Sequence, residues 1–353
     1  MFNSVVPKHL SYFAALSVLL LMVVSIPVFA DSQDATTEET TEAQIQWVDT
    51  VEEATKQSAE TGKPIMMDFY TDWWGWCKRL DADTFTDAKV ISLSDKFINI
   101  KVNPEIEERP INEETREKYG VRGFPAILFI SPDGGVITNQ GGYLPPDKFA
   151  PVMETVLKKE VEFKAKLAEY KKNPEDLKLN REIAILFIDR QQIDKALPIS
   201  AKLPDDLELN SQFALAYLKI QQLEKALSFS EKVFAKDTKN ESGYVSNLHT
   251  QIGLTYARQL QRKPSDEDLA EKTVMHFQKV IENYPESNEI ESAQYYLGVT
   301  YHILKQFDKA IVVFEKLLNH GENENLLRQA EMMLKRSQDS LEATPKDQWD
   351  FRN

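Results

Sequence analysis

The only thiol in this 353-residue chain is Cys77, in the run Asp68-Phe-Tyr-Thr-Asp-Trp-Trp-Gly-Trp-Cys77-Lys-Arg-Leu80. A cysteine at the turn from a strand to a helix is where a C-x-x-C redox pair would sit. Its partner would have to occupy position 74, and that residue is Trp74. An intramolecular dithiol cycle is therefore excluded. Thiol–disulfide chemistry on Cys77 would be monothiol chemistry, with an outside thiol resolving each mixed disulfide. The alternative is a small buried hydrophobe, since free cysteines are among the most buried residues. Around the sulfur, Trp73, Trp74 and Trp76 form an aromatic cluster of the kind that favours interfaces.

The segments that must position these residues alternate between strand and helix. A helical pattern runs from Trp47 to Thr61, stopped by Gly62 and Pro64. Residues 64–70 read as a buried strand, and Cys77 opens the next helix. Residues 97–102 read as a second strand, 112–119 as a short helix ending at Gly120, and 126–130 as a third strand. The turn Pro132-Asp-Gly-Gly135 leads to a fourth strand around 136–138. A long charged helix follows from Pro146 to about Lys172. This order predicts an α/β sandwich around a mixed sheet. After Asn173-Pro174 the strand pattern stops and paired amphipathic helices begin.

Asp68-Phe69-Tyr70 followed by Trp73-x-Gly75-x-Cys77 resembles the active-site segment of the thioredoxin-like superfamily, most closely its secreted Trp-Cys-Gly-Trp-Cys-Lys subgroup. Pro125, 48 residues after Cys77, closes Val121-Arg-Gly-Phe-Pro125, which resembles that family's cis-proline loop. Asp133-Gly134 and Gly141-Gly142-Tyr143 follow in the family's order. The resemblance covers residues 45–160 and implies a thioredoxin-like sandwich. It places Trp74 where the attacking thiol sits and Cys77 at the resolving position. It makes Asp68 the buried acid that helps deprotonate the resolving sulfur, or an inherited acid with no remaining task. Phe124 and Pro125 would offer a backbone edge to an extended substrate segment.

In the second half, Leu297-Gly298-x-x-Tyr301 followed by Ala310 and Phe314 resembles a tetratricopeptide repeat. Ala214, Tyr217, Ala226 and Ser230 form an earlier copy, and Gly253, Tyr256 and Phe277 another, with an insertion expected around 263–268. A fainter copy runs through Ala184, Phe187 and Ala196. Such arrays imply a concave groove for a protein or peptide partner; capping the first domain or supporting a dimer is the alternative.

The expected organisation is a signal peptide (1–30), an acidic linker (31–44), a thioredoxin-like domain with its C-terminal helix (45–172), tetratricopeptide-like helices (173–342) and a tail (343–353). Lys8, the uncharged stretch 9–30 and Val28-Phe29-Ala30 predict export by a cleaved leader to the periplasm or outside. Left uncleaved, the segment would anchor the body outside the cytoplasm. A net charge of −14 argues against nucleic acid and anionic membrane surfaces as partners. The five histidines (His9, His249, His276, His302, His320) lack zinc-site spacing, and no phosphate-binding glycine loop appears, so neither metal nor cofactor is expected. Two functions follow: an exported thioredoxin-like protein with a degenerate single-cysteine site in envelope thiol–disulfide or protein-quality processes, its repeats recruiting a partner; or a non-catalytic scaffold using the thioredoxin surface and the repeat groove. Burial of Cys77 would favour the scaffold.

Overall fold

The computed structural model describes residues 43–343. The expected leader, nearly all of the linker and all but the first residue of the tail lie outside that range. Thr50 caps the first helix, α1 (Val51–Thr61), by accepting the Glu53 N–H, and Gly62 ends it with φ +71°. Trp47–Val48 is not the start of that helix, as the periodicity suggested, but a short strand, β1. Its pairing with the third strand outweighs the helical spacing of its apolar side chains.

The sheet is completed by β2 (Ile65–Phe69), β3 (Ile98–Val102), β4 (Ala126–Ile130) and β5 (Val136–Gly141), in the order β1-β3-β2-β4-β5. β3 runs parallel to both β1 and β2, whereas β4 is antiparallel to β2 and β5. The central strands β2 and β4 are buried at every residue, as strands covered on both faces must be. Alternation splits the core in two. Met67, Phe69, Ile100 and Leu128 pack with Ala54 of α1 on one face. Met66, Ile127 and Phe129 pack on the other with Leu80, Phe85, Val90, Phe149 and Met153.

That second face is covered by α2 (Gly75–Arg79) with a π-helical turn through Thr84, by α3 (Ala88–Ser94) and by the start of the 27-residue α5 (Pro146–Lys172). The helix α4 (Pro110–Lys118) precedes β4. Asp87 caps α3 by accepting the N–H groups of Lys89 and Val90, a local signal that the strand-centred reading passed over.

Nine further helices follow among the described residues: α6 (Leu177–Asp189), α7 (Ile193–Ser200), α8 (Leu207–Lys219), α9 (Leu223–Lys236), α10 (Tyr244–Arg262), α11 (Glu267–Asn283), α12 (Ile290–Ile303), α13 (Phe307–His320) and α14 (Glu324–Glu342). Three of the pairs, α6–α7, α8–α9 and α12–α13, turn through one left-handed residue at the same place, Gln191, Gln221 and Lys305. Small side chains let the paired helices meet: Ala196, Ala226 and Ala310 are fully buried. A Cβ added to Gly253 or Gly298 would come within 2.8 Å of Phe277 or 2.6 Å of Phe314, respectively. The extra residues expected as an insertion around 263–268 are instead taken up by the helices, 19 residues in α10 and 17 in α11 against 13 and 14 in α8 and α9.

Candidate functional site

β2 carries one polar residue in an otherwise apolar run, Asp68, and strand parity puts it on the face of Met66, beneath α2. β2 then leaves the sheet after Tyr70, whose N–H donates to Val102. Residues 71–74 turn the chain into α2, which begins at Gly75, two residues before the predicted start at Cys77. Trp74 occupies the N-cap position and contributes no side-chain cap; its carbonyl accepts from the N–H groups of Cys77 (3.1 Å) and Lys78 (3.3 Å). The indole therefore stands where the chain enters the helix, and Cys77 faces the protein interior.

Cys77 is 3% exposed. Burial pushes its thiol up from the ordinary range, and a backbone hydrogen bond from Thr71 opposes that only in part. The nearby carboxyls of Asp68 and Asp81 push it further up, while Lys101 draws it down. The balance is a protonated, inaccessible sulfur, the opposite of what a nucleophilic thiolate needs.

Asp68 is itself buried, its Oδ1 has no hydrogen-bond partner, and burial raises its carboxyl to about 7. Lys101 lies opposite it in register on β3 and lowers that value, yet its ammonium is bound to Asp81. The cation also sits 5.3, 5.2 and 5.6 Å from the ring centres of Trp47, Tyr70 and Phe85. Shared in this way, the lysine charge leaves Asp68 largely uncompensated. Lys101 and Asp81 escaped the sequence reading; a lysine on a strand that is otherwise buried was the available signal.

The three tryptophans form an exposed ridge: Trp73 is 64%, Trp74 39% and Trp76 47% exposed. Trp73 and Trp74 meet edge to face with centroids 5.4 Å apart, and the Trp73 Nε1–H donates to both carboxylate oxygens of Glu105 (2.9 and 3.2 Å). Trp76 packs against Tyr143, and Arg79 lies over both rings while bonding Asp83. The Tyr143 hydroxyl also donates to Asp83, and no feature of the sequence pattern places this ring beside the tryptophans.

Phe124–Pro125 is a cis peptide, as the resemblance implied. Pro125 is buried, Phe124 is half-buried, and the Pro125 carbonyl accepts from the Gly142 N–H. A shallow depression of about 380 Å³ opens here, lined by Arg122, Gly123, Phe124, Asn139 and Gly142 among others.

In the helical region, His249 and His276 lie Nδ1 to Nδ1 at 2.8 Å, both buried. Burial holds both well below the ordinary imidazole range. Among the described residues no three His, Cys, Asp or Glu side chains are grouped to hold a metal. Nor is any described helix long and apolar enough to cross a membrane.

Comparison with known proteins bears on the sheet domain alone. The family model described as a thioredoxin-like domain matches residues 51–157. The chain is 28% identical over 110 residues to the thiol:disulfide interchange protein DsbD of Colwellia psychrerythraea, covering 31% of this chain and 18% of that protein. It is 33% identical over 89 residues to DsbD of Photorhabdus laumondii, covering 25% of this chain and 15% of that one. The chain thus spans less than a fifth of the length of these relatives. Among solved structures it is similar to a DsbH oxidoreductase (22% identity, TM-score 0.31, 36% of this chain and 95% of that chain). A thioredoxin from Thermus thermophilus also aligns (21% identity, TM-score 0.30, 33% and 90%).

Proposed function

We propose that the thioredoxin-like domain, related in sequence to the DsbD interchange proteins, binds an extended polypeptide segment without turning over a dithiol. The protein would work outside the cytoplasm in thiol–disulfide or protein-quality processes, and its helical region, read as tetratricopeptide-like repeats, would recruit a second protein. The observation that carries this reading is the inversion at the β2–α2 turn. The sulfur is 3% exposed with a raised pKa, while the position of an attacking thiol holds a half-exposed indole. The open ridge of Trp73, Trp74 and Trp76 and the half-buried Phe124 ahead of the cis-proline supply what a bound strand needs, aromatic side-chain contact and a backbone edge. On this reading Asp68 has no proton to move.

The reading is tested with a permanently unfolded, fully carboxymethylated polypeptide, which offers no disulfide. Its binding, followed by tryptophan fluorescence and by anisotropy of a labelled ligand, is expected to weaken at least tenfold in Trp74→Ala/Trp76→Ala. It should be unchanged in Cys77→Ala. Equal binding by the tryptophan variant would overturn the proposal. The relation to DsbD favours a second reading, monothiol exchange at Cys77. That reading requires Cys77→Ala to abolish capture of a ligand carrying a mixed disulfide.

A further inference from the structure

The two ends of the tryptophan ridge differ in charge. At the Trp76 end Arg79 lies over the ring, 5.7 Å from its centre, and is matched by Asp83, 3.0 Å away. At the Trp73 end the compact turn after β3 presents Glu105, Glu107 and Glu108, all exposed, and Asp72 adds a fourth carboxylate. This turn is held firmly. Asn103 is buried, its Nδ2 donates to Asp72 (2.9 Å), and its Oδ1 accepts the Glu105 N–H (3.0 Å). The Arg109 N–H closes the turn on the Ile106 carbonyl, and the Arg109 guanidinium is drawn away to the Asp49 carbonyl. Among the described residues, Glu107 and Glu108 have no salt-bridge partner.

We propose that the occupant of the ridge is an extended polypeptide segment carrying lysine or arginine beside an aromatic or aliphatic side chain, the cationic residue lying at the Trp73 end. This deepens, and rests on, the polypeptide-binding reading of the same surface. The apolar side chain covers the exposed indoles, and the cation meets carboxylates that a fixed loop holds ready. Each indole face adds cation–π attraction for the same charge. An acidic segment would meet like charge there and lose both contributions, so the loop discriminates by repulsion as well as by attraction.

The experiment uses the full chain and three synthetic nonapeptides sharing one central Tyr-Leu core, flanked by lysine, serine or glutamate. Binding is read from ridge tryptophan fluorescence at two salt concentrations. The lysine peptide is expected to bind at least tenfold more tightly than the serine peptide, with the advantage shrinking as salt rises. Glu107→Gln/Glu108→Gln should remove most of that advantage. The remote pair Glu267→Gln/Glu271→Gln, which removes the same two negative charges from the chain, should leave it in place. Equal binding of all three peptides would overturn the charge selection and leave the polypeptide-binding reading standing. A lysine advantage lost equally in the remote pair would assign it to net charge and overturn the proposal. Failure of every peptide to bind would overturn both.

Discussion

Two buried groups at the site, Cys77 and Asp68, have their protons held more tightly by the same cause, burial. Cys77 on the inner side of α2 and Asp68 on β2 beneath that helix are both buried, and the Lys101 cation beside them is bound to Asp81. For Asp68 this has a measurable consequence. Burial raises its carboxyl from the ordinary 3.8 to about 7, so between those values the folded state holds a proton that the unfolded chain releases. Stability from this group is complete below the unfolded value and is lost as pH rises through about 7. A shift of that size corresponds to roughly 4 kcal/mol. Asp68→Asn is therefore expected to raise stability in urea by a few kcal/mol at pH 8 and to change it little at pH 4. Equal effects at both pH values would mean that folding leaves the Asp68 carboxyl unshifted. The identities of Cys77, Asp68, Pro125 and the tryptophans were legible in the sequence, because type and order carry them. The fate of the lysine charge was not, because Asp81 reaches Lys101 only once α2 has packed over β3.

At the scale of elements, the sequence reading succeeded where one local signal dominates. The strand at 126–130 and the helix from Pro146 to Lys172 were placed at their observed bounds. It failed where partners decide. β1 exists because Trp47 and Val48 pair with Asn99 and Ile100, which no window around residue 47 contains. Cys77 seemed to open α2 because the helix start at Gly75 follows Trp74, which lacks a capping side chain. The helix pairs were readable because close approach demands small residues at fixed places. Gly298 shows the demand most clearly, with the fully buried Phe314 ring against it. Alanine normally favours a helix by about 1 kcal/mol over glycine. Gly298→Ala should nevertheless lower stability by about 1–3 kcal/mol, because the ring has nowhere to go. Thermal unfolding of that variant checks this; an unchanged or raised midpoint would show that α12 and α13 separate easily.

At the scale of the whole molecule, α5 belongs to two cores. Its first turns give Phe149, Ala150, Met153 and Val156 to the sheet, and Phe163 joins the core of α6–α8. Beside Phe163 the buried pair Glu160–Arg190 closes at 2.8 Å, with the guanidinium 3.6 Å from the Phe163 ring centre. The turn before β5 docks on the α6–α7 turn: the Val136 N–H donates to Arg190, the Gln192 amide donates to the Asp133 carbonyl, and Lys195 binds the Asp133 carboxylate at 2.6 Å. Burial alone would push the Asp133 carboxyl up, but hydrogen bonds from Lys195, Ser131 and Gln192 hold it down at about 2. The sheet and the first helices are accordingly expected to unfold together. Arg190→Ala leaves the buried Glu160 carboxylate only its longer contact with Lys164, at 3.4 Å, and should cost about 3 kcal/mol. Hydrogen exchange should then accelerate in β2 and β4 as well as in α6; acceleration confined to the helices would separate the two parts.

The central claim, a binding surface over a silent sulfur, is tested most directly by alkylating Cys77 in the folded full chain across pH, with the unfolded chain as reference. The account predicts slow labelling at every pH at which the fold persists, and labelling that accelerates on denaturation to follow the free thiol's pKa of about 8.5. Fast labelling of the folded protein with a midpoint well below that value would reveal an accessible thiolate and contradict it.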